Sequence, residues 1–400
     1  LHLSIRRQRQ MCIRDRLCVL GATGSIGDST LALLALHPER FAVHALSAHR
    51  NIHKLFERAL QFKPQFLVVG EKEDAYFLQK RLKEVGSSSE VLYGKKGLVT
   101  VASDPAVDTV VCAVVGSAGA EGAFAAAHAG KKILLANKET LVVAGELFFQ
   151  VVKKTGARVY PIDSEHNAIF QVLPEKIEDV DEIILTASGG PFLHTPLSEL
   201  EEVSVTQALS HPNWKMGKKI SIDSATMMNK ALEVIEAHFL FTLPKEKIKV
   251  IVHSESIVHS LVRLKDGSLL AQMGIADMRV PIAYSLSYPE RMISGTPPLT
   301  LETLLPLHFL PVEQERFPAL SLAYEVLTEK QDAGAILNAA NEVAVDLFLQ
   351  NKIKFTAIVP LVKEVLDKVS TETHTSLASV LAKDQQVREK TLEVAAGWKC

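Results

Sequence analysis

Residues 17–27 read Leu-Cys-Val-Leu-Gly-Ala-Thr-Gly-Ser-Ile-Gly, and this stretch decides the fold. Four apolar residues predict a short buried strand, and the apolar run Ser29–Leu36 that follows the glycines predicts a helix. Gly21, Gly24 and Gly27 let backbone N–H groups approach a pyrophosphate, and the helix N-terminus adds partial positive charge. The stretch therefore indicates the first turn of a dinucleotide-binding sheet, with a tight turn that holds no ligand as the alternative.

Apolar runs alternate with helical segments through the first part of the chain. The further predicted strands are Phe41–Leu46, Phe66–Val69, Thr109–Val115, Ile133–Ala136 and Val159–Ile162. This alternation predicts a parallel sheet with right-handed crossovers, and hence an α/β fold with a Rossmann-like domain over residues 17–162. We expect the basic segment 1–16, which has no apolar periodicity, to be a non-native or disordered leader outside the fold.

The pattern changes after residue 163. Strands are predicted at Ile183–Ala187, Ile248–His253, Ile257–Arg263 and Ser268–Gln272, and Asp266-Gly267 between the last two is a strong hairpin signal. These elements indicate an α+β catalytic and dimerisation domain over residues 163–290. A proline-rich stretch over 291–312 reads as a linker. A C-terminal helical domain over 313–400 is predicted from periodic runs at Ala319–Glu329, Ala333–Gln350 and Ala357–Val369.

The composition of the chain argues against some classes of binding partner. The chain of 400 residues has 44 Lys and Arg against 46 Asp and Glu, so no overall field attracts nucleic acid or an anionic membrane. No apolar stretch reaches the about 18 residues of a membrane span. The four cysteines, Cys12, Cys18, Cys112 and Cys400, have no metal-ligand spacing, which favours free thiols in a reducing compartment. We expect a bacterial cytoplasmic protein, with a plastid as the alternative.

The end of the second predicted strand indicates which dinucleotide binds. An NAD enzyme places an acid about 20 residues beyond the glycines, where it holds the ribose hydroxyls. This chain has Ser47-Ala-His49-Arg50-Asn51 there, and the Arg50 guanidinium suits a 2′-phosphate. The sequence therefore predicts NADP rather than NAD.

Carboxylates and amines gather in two short motifs. Asp163 and Glu165 follow a strand-like run, and in an extended chain residues i and i+2 point to the same side. Asn229, Lys230 and Glu233 share one broad face of a predicted helix. Together they suit a hard divalent cation that holds a phosphorylated substrate. The alternatives are a solvated acid pair at a helix N-terminus and an ordinary amphipathic helix.

Three loops complete the candidate site. Asn137-Lys138-Glu139 follows the fifth predicted strand, at the edge where open sheets bind ligands, with a mixed-charge helix start as the alternative. Ser188-Gly-Gly190 makes an N–H-rich turn that can hold an anion. The segment from His211 to Gly217 is either a lid or a turn anchored by a buried Trp214.

Together these motifs resemble the 1-deoxy-D-xylulose 5-phosphate reductoisomerase family, from about residue 17 to the C-terminus. The matching motifs are GATGSIG at 21–27, ANKE at 136–139, PIDSEHNAIFQ at 161–171, TASGGPF at 186–192, HPNWKMG at 211–217, DSATMMNKALEVIEA at 223–237 and NAANE at 338–342.

The resemblance implies a homodimeric enzyme that converts 1-deoxy-D-xylulose 5-phosphate to 2-C-methyl-D-erythritol 4-phosphate in non-mevalonate isoprenoid synthesis. It implies NADPH and one divalent cation (Mg²⁺, Mn²⁺ or Co²⁺) as cofactors. The implied metal ligands are Asp163, Glu165 and Glu233, and the catalytic residues are these three with Lys138 and His211. The implied substrate contacts are Lys138, Ser164, Glu165, Ser188, His211, Ser224, Asn229, Lys230 and Glu233. The implied NADPH contacts are Thr23, Gly24, Ser25, Ile26, Arg50, Asn51, Asn137, Glu139 and Gly217, and Trp214 and Met216 are placed on a closing flap.

The chain departs from the family pattern at His49, where Gly is common, at Ser254-Glu255, in place of Pro-Gln, and at Ala276, in place of Pro. Two other classes of protein stay open. A semialdehyde dehydrogenase requires a nucleophilic cysteine, for which Cys112 in an apolar strand is a poor candidate. A catalytically inactive nucleotide sensor is expected to lose some of the carboxylates, and all are present.

Overall fold

The computed structural model describes residues 14–211, 213–214, 216–303, 306–329 and 331–398. The strands are β1 Asp15–Leu20, β2 Phe41–Ser47, β3 Phe66–Val69, β4 Glu90–Tyr93, β5 Thr109–Cys112, β6 Lys132–Leu135, β7 Arg158–Pro161, β8 Val180–Ala187, β9 Ile248–Val252, β10 Val258–Leu264 and β11 Leu269–Met273. The helices are α1 Ser25–Leu36, α2 Ile52–Phe62, α3 Lys72–Glu84, α4 Gly94–Ser103, α5 Ala120–His128, α6 Glu139–Thr155, α7 Ser164–Val172, α8 Val205–Ala208, α9 Lys218–Ala225, α10 Met228–Phe241, α11 Arg279–Ser287, α12 Ala319–Glu329, α13 Ala333–Leu349, α14 Ile358–Lys368 and α15 Leu377–Ala395.

Two compact units, each built from separate segments of the chain, make up the protein. The first contains the residues up to Asn137, Gln150–Ile162 and Met278–Thr296. The second contains Lys138–Phe149, Asp163–Asp277 and the residues from Pro297 onward. Within the described ranges, none of the helices is both long and apolar enough to cross a membrane.

The first unit is built on a seven-stranded sheet in the order β4-β3-β2-β1-β5-β6-β7. All neighbouring strands are parallel, which confirms the predicted Rossmann-like architecture. The central strands are buried on both faces, as helix-covered parallel sheets require, and Leu17 and Val19 of β1 are fully buried. The sequence did not predict β4, because this short edge strand is only partly buried and carries no run of core residues.

The leader boundary at residue 16 was wrong. Asp15 and Arg16 belong to β1 and pair with Phe41 and Ala42 of β2. The Arg16 backbone N–H also donates to Asp108 Oδ2 at 2.8 Å. These polar residues extend the strand by backbone pairing, which side-chain hydrophobicity does not reveal. Residues 1–13 of the predicted leader, together with Cys12 and Cys400, lie outside the described residues.

Helix α11 belongs to the first unit, although the sequence placed it in a catalytic domain ending at residue 290. Ile282, Ala283 and Leu286 are buried in the core of the parallel sheet and its helices. Ser285 Oγ donates to the carbonyl of Pro161 at 2.9 Å. The chain therefore completes its first unit with a segment distant in sequence.

The second unit contains a four-stranded mixed sheet in the order β11-β10-β8-β9. β8 and β9 are parallel, and the other pairs are antiparallel. The predicted hairpin is confirmed: Gly267 has φ +87°, and the Leu264 N–H donates to the Ser268 carbonyl at 2.8 Å. β11 is an edge strand, and Leu269, Leu270 and Met273 are exposed.

The C-terminal helices α12–α14 agree with the predicted ones to within a residue or so at their ends. They share one hydrophobic core with α10 and β8, in which Leu232, Ile336 and Leu361 are completely buried. The segment therefore packs with the catalytic elements, although the sequence predicted a separate domain. Helix α15 was not predicted, because its middle, Lys-Asp-Gln-Gln-Val-Arg-Glu-Lys, is mostly polar.

Candidate active site

The glycine turn between β1 and α1 is as tight as the sequence predicted. Gly21 has φ +85°, and a Cβ there would lie 2.4 Å from the Ala113 carbonyl oxygen. A Cβ at Gly27 would lie 2.5 Å from the Gly21 oxygen. Gly24 begins α1 without a side-chain cap, so this helix end directs backbone N–H groups outward. This helix end contains Thr23, Gly24, Ser25 and Ile26, the residues predicted to contact NADPH, and the Gly24 N–H donates to the Gly21 carbonyl at 3.1 Å.

Arg50 and Asn51 lie at the end of β2, in the same unit. Arg50 is exposed, and Asn51 Oδ1 caps α2 by accepting the Lys54 N–H at 3.2 Å. His49 is accommodated by Gly70, because a Cβ at Gly70 would lie 2.4 Å from His49 Nδ1. Asn137 is buried and donates to the carbonyls of Val114 and Gly116, so its amide holds the loop after β5.

Three carboxylates and two lysines meet in a cluster within the second unit. Lys138 Nζ lies 2.5 Å from Asp163 Oδ2 and 3.1 Å from Glu233 Oε1. Lys230 Nζ lies 2.6 Å from Glu165 Oε1 and also binds Glu233. The Glu233 side chain is completely buried. We call these five residues the carboxylate–lysine cluster.

The predicted helix face is confirmed, because Asn229 and Lys230 of α10 both bind Glu233 on the same helix. The predicted extended geometry of Asp163 and Glu165 was wrong. Asp163 is the N-cap of α7, and Glu165 lies in its first turn. The strand-like run ends at Pro161, and acids favour the positive end of a helix. Glu165 also accepts a hydrogen bond from Ser164 at 2.5 Å.

Burial and neighbouring charges shift the pKa values of Glu165 and Glu233 in opposite directions. Burial works to raise the pKa of Glu165, but the charge and hydrogen bond of Lys230 outweigh it and lower the pKa to about 2. Burial and the Glu165 charge raise the pKa of Glu233 to about 7. Despite burial, Asp163 and Glu233 raise the pKa of Lys138 well above its ordinary value. The lysines therefore carry charge at neutral pH, and Glu233 is easier to protonate than Glu165.

A second buried chain of polar groups starts at Glu139, the first residue of α6. Its carboxylate lies 3.0 Å from Lys219 Nζ, which is 2.8 Å from Asp223 Oδ2. Asn341 of α13 donates to the other Asp223 oxygen at 2.8 Å. This chain connects α6, α9 and α13. Gly217, the N-cap of α9, is exposed two residues before Lys219.

The Ser188-Gly-Gly190 turn adopts the conformation expected of it. Gly189 and Gly190 have φ +81° and +66°, and a Cβ at Gly190 would lie 2.8 Å from the Ser224 carbonyl oxygen. Two predicted substrate contacts, Ser188 and Ser224, therefore belong to adjoining backbone segments. The Gly190 N–H donates to Ser188 Oγ at 3.2 Å.

His211 joins this turn to the Trp214 segment. Its Nδ1 accepts the N–H groups of Asn213 and Trp214 at 3.2 and 3.0 Å, so Nε2 carries the proton and donates to Ser188 Oγ at 3.0 Å. Burial lowers the pKa of His211, which agrees with a neutral ring. Trp214 and Met216 are partly buried, whereas Pro212 and Lys215 of this segment lie outside the described residues.

Family models match most of the chain. A model described as 1-deoxy-D-xylulose 5-phosphate reductoisomerase matches residues 17–145, and two models of C-terminal domains of that enzyme match residues 159–241 and 273–390. A reductoisomerase of Burkholderia multivorans is 50% identical over 387 residues, covering 96% of this chain and 97% of the relative. One of Cupriavidus metallidurans is 51% identical over 378 residues, covering 94% and 96%. The chain belongs to the 1-deoxy-D-xylulose 5-phosphate reductoisomerase family.

Solved structures of reductoisomerases have the same fold. One, in complex with NADPH, fosmidomycin and magnesium, is 44% identical with a TM-score of 0.91, covering 96% of this chain and 98% of that one. The enzyme from Zymomonas mobilis, in complex with NADPH, is 42% identical with a TM-score of 0.90, covering 96% and 99%. These similarities confirm the fold class.

The departures from the reductoisomerase pattern have local explanations, except at Ala276, for which the structure offers none. Glu255 lies 2.6 Å from His308 Nδ1 and 3.1 Å from His253 Nδ1, so its carboxylate has two imidazole partners within the unit. Its loop also contacts the Trp214 segment, because Asn213 Nδ2 donates to the Ser254 carbonyl at 2.7 Å and to Ser256 Oγ at 2.9 Å.

Sequence reasoning missed three residues near the reductoisomerase site. His166 is completely buried and its Nε2 lies 2.9 Å from the Glu233 carbonyl, while its Nδ1 is 3.4 Å from Glu236 Oε2. Burial raises the pKa of Glu236 well above its ordinary value. The buried ring of His259 lies 6.5 Å from that of Trp214. His166 and Glu236 sit inside matched motifs, but no spacing distinguished them from core residues.

The donor set fits a hard divalent cation. Three carboxylates converge, and Lys138 and Lys230 leave one of their negative charges uncompensated. Among the described residues, the donor group that lies within 4.8 Å is Asp163, His166 and Glu233. Glu165 is not in that group, and its carboxylate accepts a hydrogen bond from Lys230 at 2.6 Å.

Proposed function

We propose that this chain converts 1-deoxy-D-xylulose 5-phosphate to 2-C-methyl-D-erythritol 4-phosphate, using NADPH and one divalent cation. The observation that carries this proposal is the carboxylate–lysine cluster. It combines hard oxygen donors with two ammonium groups in a buried place, and its helix α10 also carries Asn229. Its residues occupy the motif positions of a family whose solved members contain NADPH and magnesium.

The direct test is NADPH oxidation by the purified protein, with deoxyxylulose phosphate as substrate. We expect turnover with Mg²⁺ and none after chelation, with activity restored by added metal. Oxidation without the sugar phosphate, or turnover unaffected by chelation, would contradict the proposal.

Phosphate binding is assigned to the residues around the Ser188 turn. Ser188 Oγ already accepts hydrogen bonds from His211 Nε2 at 3.0 Å and from the Gly190 N–H at 3.2 Å. The hydroxyl hydrogen of Ser188 is thus available to a phosphate oxygen. Ser224, Asn229 and Lys230 supply a further hydroxyl, an amide and a positive charge.

The metal is assigned to Asp163, Glu165 and Glu233. A bound cation supplies Lewis acidity to the substrate ketone and its neighbouring hydroxyl. This assignment requires Glu165 to leave Lys230, whereas the geometry also favours His166 as the third donor. We favour Glu165, because carboxylates are the preferred ligands of Mg²⁺.

Glu165→Gln should weaken Mg²⁺ binding by about tenfold and His166→Gln should weaken it less; the reverse order would assign His166 instead.

Arg50 is assigned to the 2′-phosphate of NADPH, which delivers hydride to the substrate. Arg50→Ala should raise KM for NADPH about tenfold, the scale of a charge-assisted hydrogen bond of roughly 1.5–3 kcal/mol. KM for NADH should hardly change. Equal losses with both cofactors would contradict the assignment.

Trp214 and Met216 are assigned to a flap that excludes water from the reacting carbonyl. His211 is suited to hold the end of this flap in place, because its ring binds both Ser188 and the backbone of Trp214. A phosphonate substrate analogue should change Trp fluorescence and protect residues 208–218 from proteolysis. Equal resistance in the free enzyme would make Trp214 a structural anchor.

A homodimer and a cytoplasmic location complete the proposal. The exposed apolar residues of β11 support a sheet-edge interface with a second copy of the chain. The free thiols of Cys18 and Cys112, and the bacterial sources of the similar proteins, support the location. Fractionation of producing cells should recover the activity with the cytoplasm; recovery in the membrane or periplasm would contradict it.

A further inference from the structure

Lys54, in the first turn of α2, contacts both segments assigned to the dinucleotide. Its backbone N–H donates to Asn51 Oδ1 at 3.2 Å. Its ammonium donates to the Thr23 carbonyl at 3.0 Å, inside the glycine turn. A single residue therefore joins the turn after β1 to the segment after β2.

The same ammonium compensates an acid at the start of α1. Asp28 lies in the first turn of this helix, where a free carboxylate would repel a bound pyrophosphate. Lys54 Nζ lies 2.5 Å from Asp28 Oδ2, and Arg58 Nη2 lies 3.1 Å from Asp28 Oδ1. The three side chains carry one net positive charge, so the triad attracts phosphate.

We propose that Lys54 is a positioning residue for NADPH. It fixes the distance between the turn that takes the pyrophosphate and Arg50, which takes the adenosine phosphate. The proposal rests on the proposed cofactor, and neither Lys54 nor Asp28 is among the residues that the family resemblance assigns to NADPH.

The contacts predict an effect on binding rather than on folding. The side chains of Lys54 and Asp28 are 29% and 37% exposed, and ion pairs this accessible contribute little to stability. A ligand that spans both segments, however, binds more tightly when their spacing is fixed beforehand. A ligand that reaches only one segment gains nothing from the link.

The test compares Lys54→Met with Lys80→Met, an exposed lysine on α3 of the same unit. Met keeps the length of the side chain and removes the ammonium. We expect Lys54→Met to raise the Kd of NADPH, measured by fluorescence titration, about fivefold or more. The Kd of adenosine 2′-phosphate, which reaches only the Arg50 segment, should stay within about twofold. Lys54→Arg should restore most of the NADPH affinity, and Lys80→Met should bind both ligands like the wild type.

A second measurement needs no ligand. Hydrogen exchange at the amides of residues 22–27 should be faster in Lys54→Met than in Lys80→Met, with unchanged exchange in β5 and β6. Unchanged NADPH affinity, or equal loss of both ligands, would overturn the role of Lys54. Wild-type protein that fails to bind NADPH would instead contradict the proposed cofactor, while the exchange data still report on the link itself.

Discussion

Glu233 is the residue that both ammonium groups of the carboxylate–lysine cluster share. If it becomes neutral, Lys138 keeps Asp163 and Lys230 keeps Glu165, so every buried charge retains a partner. The fold should therefore tolerate Glu233→Gln, although the site should not.

We expect Glu233→Gln to lower metal affinity at least about tenfold and kcat about a hundredfold or more, since a metal-binding carboxylate stabilises charge in the transition state. Asp163→Asn should behave alike, and the double variant should cost much less than the product of the two, because the residues act as a unit. Calorimetric Mg²⁺ titration and steady-state kinetics measure these effects. Exposed Glu246→Gln is the control. Full metal-dependent turnover in Glu233→Gln would remove this residue from the site.

Lys219 gives the opposite prediction, because its ammonium contacts the buried carboxylates of both Glu139 and Asp223. Despite burial, Asp223 and Glu139 raise the pKa of Lys219 well above its ordinary value. Lys219→Met removes the ammonium that both buried carboxylates contact and should lower the free energy of unfolding by about 3–5 kcal/mol. Urea unfolding should show Lys218→Met, an exposed neighbour, unchanged. Adding Asp223→Asn should recover part of the loss; an equal loss in both lysine variants would contradict the network.

For individual residues, the sequence predicted contacts correctly where their spacing along one helix brings the side chains together. Asn229, Lys230 and Glu233 share a helix face, and their contacts follow from that. The partners of Lys138 and the Glu139 partner of Lys219 come from distant segments, which no local pattern specifies. His166 and His259 were missed because a single histidine in an apolar segment has no periodic signal.

The loop between β9 and β10 contains Glu255, a departure from the family pattern that local contacts accommodate. Partial burial works to raise the pKa of Glu255, but the hydrogen bond from His308 outweighs it, and the pKa lies below its ordinary value. Because the pKa of Glu255 is lowered in the folded protein, its carboxylate stabilises the fold at pH values above 4.5, the ordinary pKa of a glutamate. This contribution is lost as the pH falls through the pKa that Glu255 has in the folded state.

Glu255→Gln should therefore melt at a lower temperature than the wild type near neutral pH. The difference should shrink as the pH falls below 4.5, where the wild-type carboxyl also becomes protonated. Thermal melts across this pH range test the expectation, and Glu246→Gln is again the matched control. A difference that stays constant with pH would show that the contacts of the ionised carboxylate with His253 and His308 are not its cause.

The N-terminal strand makes a second prediction at the scale of elements. Asp15 N–H donates to the Arg40 carbonyl, and Arg16 exchanges hydrogen bonds with Asp108. Removing residues 1–16 deletes these bonds and should cost roughly 1–3 kcal/mol more than removing residues 1–14. Thermal melting of the two truncated proteins compares them directly. Identical melting temperatures would restore the boundary that the sequence indicated.

Buried strands and strongly periodic helices were predictable, because burial on both faces or on one stripe leaves a pattern in the sequence. The more exposed and more polar elements were not predictable. β4 is half exposed and α15 is mostly polar, so neither has that pattern. Asp163–Glu165 was misassigned because a strand and a helix N-terminus meet within two residues.

For the whole molecule, we expect association through β11. Leu270→Lys introduces a charge into the exposed apolar edge and should shift the protein from dimer to monomer in sedimentation velocity. Leu301→Lys, at another exposed leucine, should leave association unchanged. A wild-type protein that sediments as a monomer, or a Leu270→Lys variant that stays dimeric, would contradict this interface.

The class of fold followed from the sequence, but the division into units did not. Boundaries were drawn where composition changes, at residues 162 and 290. The observed units exchange Lys138–Phe149 and Met278–Thr296 across those boundaries. A continuous stretch of sequence cannot reveal this, because the cores are completed by segments that return from far along the chain.

That return has a consequence for biosynthesis. Ile282, Ala283 and Leu286 complete the apolar interior of the first unit, yet the ribosome adds them long after β7 has emerged. The interior of the first unit therefore stays incomplete while the residues between β7 and α11 are being synthesised, and we expect its uncovered apolar surface to be open to chaperones during that time.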